Sequence, residues 1–310
     1  MLYTIKCVSY LILIETNLND INMKWQGGKK SDNFEDRRGM SGGQKLTLGG
    51  VGGIIVLIIG FLMGGDPSQL LQQAQNMTGT EQTGQPREIS AEETKLTDFS
   101  RIVLSSTEDV WTNLFKTQLG KNYEPTNLVV YDGGTETNGC GIGKASYGPF
   151  YCPGDHKIYL DLTFNQELTT KFGAKGEFAL AYVIAHEVGH HIQQLVGLLP
   201  QTNSMRGKLS EVENNKISVM TELQADFYAG VWAHHVNKLS DIEIDYNDIL
   251  DGMAAAEAVG DDKLQTQAQG YAVPDSFTHG TSAQRRAWFK KGYDSGDMQA
   301  GNTFQDPSLK

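Results

Sequence analysis

The sequence predicts an α+β fold, mostly helical with a small sheet, preceded by one transmembrane helix. Three observations carry this expectation. Apolar residues recur at helical spacing over four stretches, 91–119, 176–195, 210–238 and 245–260. Only two short runs, 127–131 and 157–162, have the β-branched and aromatic character of strands. Residues 46–64 carry no charge.

The chain has 310 residues, enough for one large or two small domains, and 39% of them are hydrophobic, enough for a sizeable core. The net charge is −11, and its negative balance lies in residues 93–310. That part does not read as a nucleic-acid binder. Three cysteines are too few for a disulfide-rich scaffold.

Residues 1–22 contain an apolar run, 8–14, that is too short to span a bilayer and has no small-residue cleavage site after it. Met23-Lys-Trp-Gln-Gly reads as a natural start, so residues 1–22 are expected to be an upstream extension. Residues 23–45 are glycine-rich and basic, expected to be a cytoplasmic tail without a fixed fold. The uncharged gap between Lys45 and Asp66 is 20 residues, about 30 Å as a helix, which matches a hydrocarbon core. A buried core helix is the alternative, disfavoured because no polar face is present. Basic residues flank only the N-terminal end of this span. The positive-inside rule then puts the N-terminus in the cytoplasm and the large domain outside the inner membrane. Residues 65–92, rich in Gln, Thr, Gly and Pro, read as a linker.

The folded domain is expected over 93–310. Phe99, Ile102 and Val103, then Val110, Trp111, Leu114 and Phe115, fall at helical spacing, with Ser105 and Thr107 as caps of a second helix. A strand at 127–131 leads into a glycine-rich loop bounded by Cys140 and Cys152. Outside the cytoplasm these cysteines pair as a disulfide. A second zinc site with His156 is the rival, disfavoured because the large part holds no further Cys. The strand at 157–162 is expected to pair with substrate as an edge strand.

The chemistry centres on His186-Glu187-Val188-Gly189-His190, set in an apolar run read as a helix from about Gly176 to Leu195. His186 and His190 lie one turn apart on one face, where two imidazoles bind one Zn²⁺. Glu187 lies beside them as a general base for a water polarised by the metal. Gly189 gives room beside the metal, and His191 points off the ligand face. The helix at 210–238 carries Glu222 and Asp226 on one face with the small Ala225 and Ala229. Glu222, 32 residues after His190, is the expected third ligand on a return helix. Asp226, one turn further, is placed to accept a hydrogen bond from the second nitrogen of a ligand His. His279, in a Gly-flanked loop before a Ser/Thr-capped helix, is a candidate donor to the oxyanion, with Tyr228 a weaker one. His234 and His235 close a helix and suit its C-terminal dipole better than a metal. The set points to peptide-bond hydrolysis on protein or peptide substrates. The competing reading is a zinc-stabilised envelope binding or scaffold protein with little turnover. Glu187 argues against it, since holding zinc does not need that base.

Several longer motifs stand in order: Met23-Lys-Trp-Gln-Gly, Ser31-Asp-Asn-Phe-Glu-Asp-Arg-Arg-Gly, Gly148-Pro-Phe-Tyr-Cys-Pro, Tyr159-Leu-Asp-Leu, Ala181-Tyr-Val-Ile-Ala-His-Glu-Val-Gly-His-His, Glu222-Leu-Gln-Ala-Asp-Phe-Tyr-Ala-Gly and Ser276-Phe-Thr-His-Gly-Thr-Ser. Across nearly all of 23–305 the chain resembles the putative neutral zinc metallopeptidase family, bacterial membrane-anchored proteins. The resemblance implies a zincin-like peptidase domain, one zinc ion and an N-terminal membrane anchor. It supplies no substrate.

Overall fold

A computed structural model of the protein describes residues 23–39, 88–170, 173 and 177–309. The expected extension 1–22, the membrane span 46–64 and most of the linker 65–92 lie outside the described residues. Among the described residues no helix is long and apolar enough to cross a membrane. The described residues divide into two units, one drawn from 23–32, 99–126 and the described part of 165–309, the other from 33–39, 88–98 and 127–164.

The smaller unit is built on a four-stranded sheet. Its strands are β1 (Phe34–Asp36), β2 (Asn127–Tyr131), β5 (Phe150–Cys152) and β6 (Lys157–Asp161), in the order β1-β2-β6-β5. The pairs β1/β2 and β2/β6 are parallel, and β5 runs antiparallel to β6. After their first residue β2 and β6 are buried without a break, the pattern of parallel strands covered on both faces. Val129, Tyr131, Cys152 and Tyr159 form one core cluster, with Phe150 stacked on Tyr159. A hairpin, β3 (Gly134–Glu136) with β4 (Ile142–Lys144), occupies the glycine-rich loop. The Cys140–Cys152 disulfide is present and ties that loop to β5, with Cα atoms 5.9 Å apart. The expected edge strand is corrected here. β6 exists over the anticipated residues, but β2 and β5 pair with its two sides, so Lys157–Tyr159 have no open edge to offer a substrate.

The expectation of a formless tail at 23–45 is also corrected over its described part. Phe34–Asp36 pair with Leu128–Val130. Arg37 binds the Glu35 carboxylate, Thr135 Oγ1 and the Glu136 carbonyl. Arg38 pairs with Asp36 and donates to the Glu93 carbonyl. In the other unit Met23 and Trp25 are buried, and Trp25 donates to Glu177 and meets Phe99 edge-on. Lys24 and Glu243 exchange backbone hydrogen bonds at 2.9 Å each way. Of the basic residues that suggested a tail, Lys24, Arg37 and Arg38 form ion pairs within the fold, with Glu243, Glu35 and Asp36.

The helices are α1 (Ala91–Leu114), α2 (Phe164–Thr170), α3 (Glu177–Leu195), α4 (Leu198–Met205), α5 (Glu211–Leu239), α6 (Tyr246–Ala258), α7 (Asp261–Gln269) and α8 (Ser282–Ser295). α1 is continuous where a break at Ser105 and Thr107 was expected. Ser106 and Thr107 turn their hydroxyls back to the carbonyls of Val103 and Leu104 instead of capping a new start. α5 begins with a capping box, Ser210 with Glu213, and α8 with another, Thr281 with Gln284. The larger unit is organised on α5, which packs against α3 and α8, while α6 packs against both of those. Glycines set the spacing. A Cβ at Gly230 would lie 2.0 Å from the Phe289 carbonyl oxygen, and one at Gly292 would lie 2.0 Å from that of Phe227. The polar tail after α8 folds as three short helical turns that bury Met298 and Thr303.

Candidate metal centre

α3 is apolar almost all round, and burial of Phe178, Ala181, Ala185, Val188 and Ile192 holds it in the core. It therefore presents its polar residues to protein. α5 meets it antiparallel: residue 186 faces 226, 189 faces 225 and 193 faces 221. The crossing is tight because a Cβ on Gly189 would stand 2.8 Å from the Ala225 carbonyl oxygen. Gly189 thus makes room for α5, a correction to the reading that it clears space beside a metal.

At this crossing His186, His190 and Glu222 each offer a ligand atom, all within 4.8 Å of one another. His186 Nε2 lies 3.2 Å from Glu222 Oε2, and His190 Nε2 lies 3.5 Å from Oε1. The two rings stand one turn apart and nearly perpendicular, at 89°. The other nitrogen of each ring is held. His186 Nδ1 is 2.8 Å from Asp226 Oδ1, and His190 Nδ1 is 2.9 Å from Gln193 Oε1. Gln193 donates to the Thr221 carbonyl and to Gln224 Oε1. These contacts give each ring an Nδ1–H donor and leave Nε2 facing Glu222. Glu187 is buried, and no donor among the described residues engages its carboxylate.

Burial disfavours a charged His186, but Asp226 and Glu222 outweigh it and lift its pKa to about 10. Burial likewise works against an ionised Glu222, yet His190 and His186 hold it well below the usual carboxylate range. The carboxylates therefore demand positive charge at the ring nitrogens, supplied by protons or by a cation. With neutral rings, Glu222 and Asp226 stand against one buried guanidinium, Arg285, which leaves negative charge to be matched in a water-poor site. Two imidazoles and a carboxylate converging there fit a divalent zinc ion with a position left open.

Arg285, Tyr182 and Gln193 did not emerge from sequence reasoning. Arg285 Nε and Nη2 bind both oxygens of Asp226, at 2.8 and 2.9 Å, and Tyr182 donates its hydroxyl to the same carboxylate. Tyr182 stands one turn before His186, so its shared face was readable. Gln193 likewise follows His190 by three. Arg285 carried no such signal, because an Arg near the start of a capped helix ordinarily points to water.

The remaining histidines separate from the metal set. His191 is buried and bonds the Glu124 carbonyl at 2.7 Å. His234 and His235 bond the carbonyls of Tyr293 and Gly296, capping the end of α8 and not of their own helix. Tyr228 is buried edge-on against Trp111. His279 sits in the loop before α8, its Nδ1 3.2 Å from Asp261 Oδ1. The other Asp261 oxygen accepts the backbone N–H groups of Thr278, His279 and Gly280. Gly280 (φ 90°) seats this loop on Val219 and Leu223, the residues of α5 that flank Glu222.

Comparison with known proteins follows the same lines. The model of the family described as "Putative neutral zinc metallopeptidase" matches residues 23–304. Uncharacterized protein YpfJ of Escherichia coli (strain K12) is 45% identical over 295 residues, covering 91% of this chain and 99% of the relative. Uncharacterized protein Rv2575 of Mycobacterium tuberculosis (strain ATCC 25618 / H37Rv) is 40% identical over 214 residues, 66% of this chain and 69% of the relative. No solved structure matches the chain significantly. The chain belongs to the putative neutral zinc metallopeptidase family.

Proposed function

We propose that the protein is a zinc-dependent endopeptidase that hydrolyses peptide bonds of proteins or peptides at a bacterial membrane, with one zinc ion per chain. The observation that carries this reading is the convergence of His186, His190 and Glu222 beside a buried Glu187 that no donor among the described residues engages. Zinc held by these three residues would supply a Lewis acid for a peptide carbonyl and for water. Glu187 takes the proton of the attacking water and passes it to the leaving amine. Asp226 and Gln193 keep the two rings in the tautomer that turns Nε2 inward. His279, fixed through Nδ1 by Asp261, has Nε2 left to donate to the carbonyl oxygen as negative charge develops there.

Attachment to the membrane is proposed through residues 46–64. An extracytoplasmic site for the peptidase is supported by the Cys140–Cys152 disulfide, which persists in oxidising compartments. The arrangement with residues 23–45 as a separate cytoplasmic tail is not carried forward, because Met23–Gly39 belong to the folded units.

The test is zinc content and cleavage of a broad peptide library by the wild type and Glu187→Gln. Equal zinc in both, with cleavage by the wild type only, is the expected result. Equal zinc with both proteins inert would favour a zinc-stabilised binding or scaffold protein.

A further inference from the structure

Arg285 has no part in the steps above, yet it is the cation most completely enclosed beside the site. It enters from the first turn of α8 with its side chain 5% exposed, against an Asp226 side chain at 0%. Nε binds Asp226 Oδ2 and Nη2 binds Oδ1. Nη2 also donates to the Tyr182 hydroxyl at 3.2 Å, and Nη1 to the Val259 carbonyl at the end of α6 at 3.4 Å. Three groups from other elements thus fix one guanidinium, Asp226 on α5, Tyr182 on α3 and Val259 after α6, and Nη2 stands 3.5 Å from His186 Nδ1, too far to replace the Asp226 bond.

Burying such a pair is costly, and an apolar pair of the same volume often stabilises a fold as well. What a planar two-pronged fork adds is orientation. A carboxylate held at both oxygens cannot rotate about its Cβ–Cγ bond. Its Oδ1 is then fixed in the direction from which His186 Nδ1–H must approach. That direction sets the plane of the imidazole and with it the line along which Nε2 presents its lone pair. Tyr182, bonded to both members of the ion pair, closes off the alternative rotamer.

We propose that Arg285 is a positioning residue for the metal: acting through Asp226, it holds His186 in the plane and tautomer that a zinc ligand requires. The proposal rests on the zinc-binding part of the functional reading and not on turnover. Its consequence is that the charge of Arg285 is insufficient without its fork. Lysine offers the same charge from a single point and cannot restrain both oxygens.

The experiment is competition for zinc against a chromophoric chelator, using the full chain as wild type, Arg285→Lys, Asp226→Asn and the double variant. Arg285→Lys is expected to weaken zinc binding about 10- to 100-fold, the usual effect of removing an outer partner of a ligand. In the Asp226→Asn background the same substitution is expected to change affinity less than about 3-fold, because the route is already cut. The Co²⁺-substituted protein is expected to show a shifted visible spectrum in Arg285→Lys, reporting altered ligand geometry. Wild-type zinc affinity in Arg285→Lys, or an equal loss in both backgrounds, would overturn the proposal. If Arg285→Lys does not fold, Tyr182→Phe decides: weaker zinc binding supports the proposal and unchanged binding overturns it. Failure of the wild type itself to bind zinc would overturn the metallopeptidase reading as well, which separates the two failures.

Discussion

At His279 two influences oppose each other. The hydrogen bond that His279 donates to Asp261 favours the imidazolium, burial disfavours it, and the hydrogen bond wins, so the ring keeps its proton above the ordinary histidine range. A folded-state pKa above the unfolded value gives stability that is fully present below about pH 6.5 and is lost as pH rises through the raised value. Asp261 is shifted the other way: burial raises it, but the contacts from His279 lower it further. Its contribution is therefore lost only as pH falls through that depressed value. Asp261→Asn is expected to move the alkaline fall in kcat/KM to lower pH, checked by pH–rate profiles together with an NMR titration of His279. An unmoved alkaline limb would remove His279 from the chemistry. Gly189→Ala is expected to destabilise the protein by about 1–3 kcal/mol, because its Cβ meets backbone that cannot yield as a side-chain tip would. Urea unfolding of apo and zinc-loaded protein measures it. At this scale the ligand set was readable, because two histidines four apart and a carboxylate on a return helix are local patterns. Arg285 was not, since its burial depends on three helices distant in sequence.

Among the elements, α5 and α8 come together through reciprocal glycines, and this contact delivers Arg285 to Asp226. Gly230→Ala is expected to cost about 3 kcal/mol and to weaken zinc binding with it, read as paired losses in urea midpoint and chelator competition. Ser210→Ala removes only the capping box of α5, at an exposed end far along the helix from Glu222. It is expected to cost about 1 kcal/mol and to leave zinc affinity unchanged. Replacing both Cys140 and Cys152 by Ser is expected to destabilise the smaller unit by about 2–4 kcal/mol through the freed loop. Zinc stoichiometry should not change, since His186, His190 and Glu222 all belong to the other unit. The long helices and the two strands at 127–131 and 157–161 were legible from periodicity and composition, whereas β1, β3, β4, β5 and the short helices α2, α4 and α7 were not. Two further features were misread. Ser105 and Thr107 have the composition of caps, but within one long helix Thr107 turns its hydroxyl to the Leu104 carbonyl one turn back, as its neighbour Ser106 does to Val103. Whether β6 has a free edge is decided by β2 and β5, and pairing partners leave no trace in a strand's own sequence.

For the whole molecule, the informative segment is the one the sequence marked as separate. Lys24 is bonded to Glu243, and β1 to β2, so residues 23–39 are sewn into both units on the near side of the apolar run, as residues 88–309 are beyond it. Arg37 and Arg38 read in the sequence as a basic flank of the apolar run, and in the fold they pair with Glu35 and Asp36. The consequence concerns sidedness. Met23 is buried in the same unit as His186, His190 and Glu222, and one packed unit lies on one side of any bilayer. Cysteines introduced at the exposed Gln26 and Lys208 are expected to react with a membrane-impermeant maleimide either both or neither, above the wild-type background, in intact spheroplasts. Labelling of one without the other would mean that the first residues of this unit and the turn before α5 are on opposite shores.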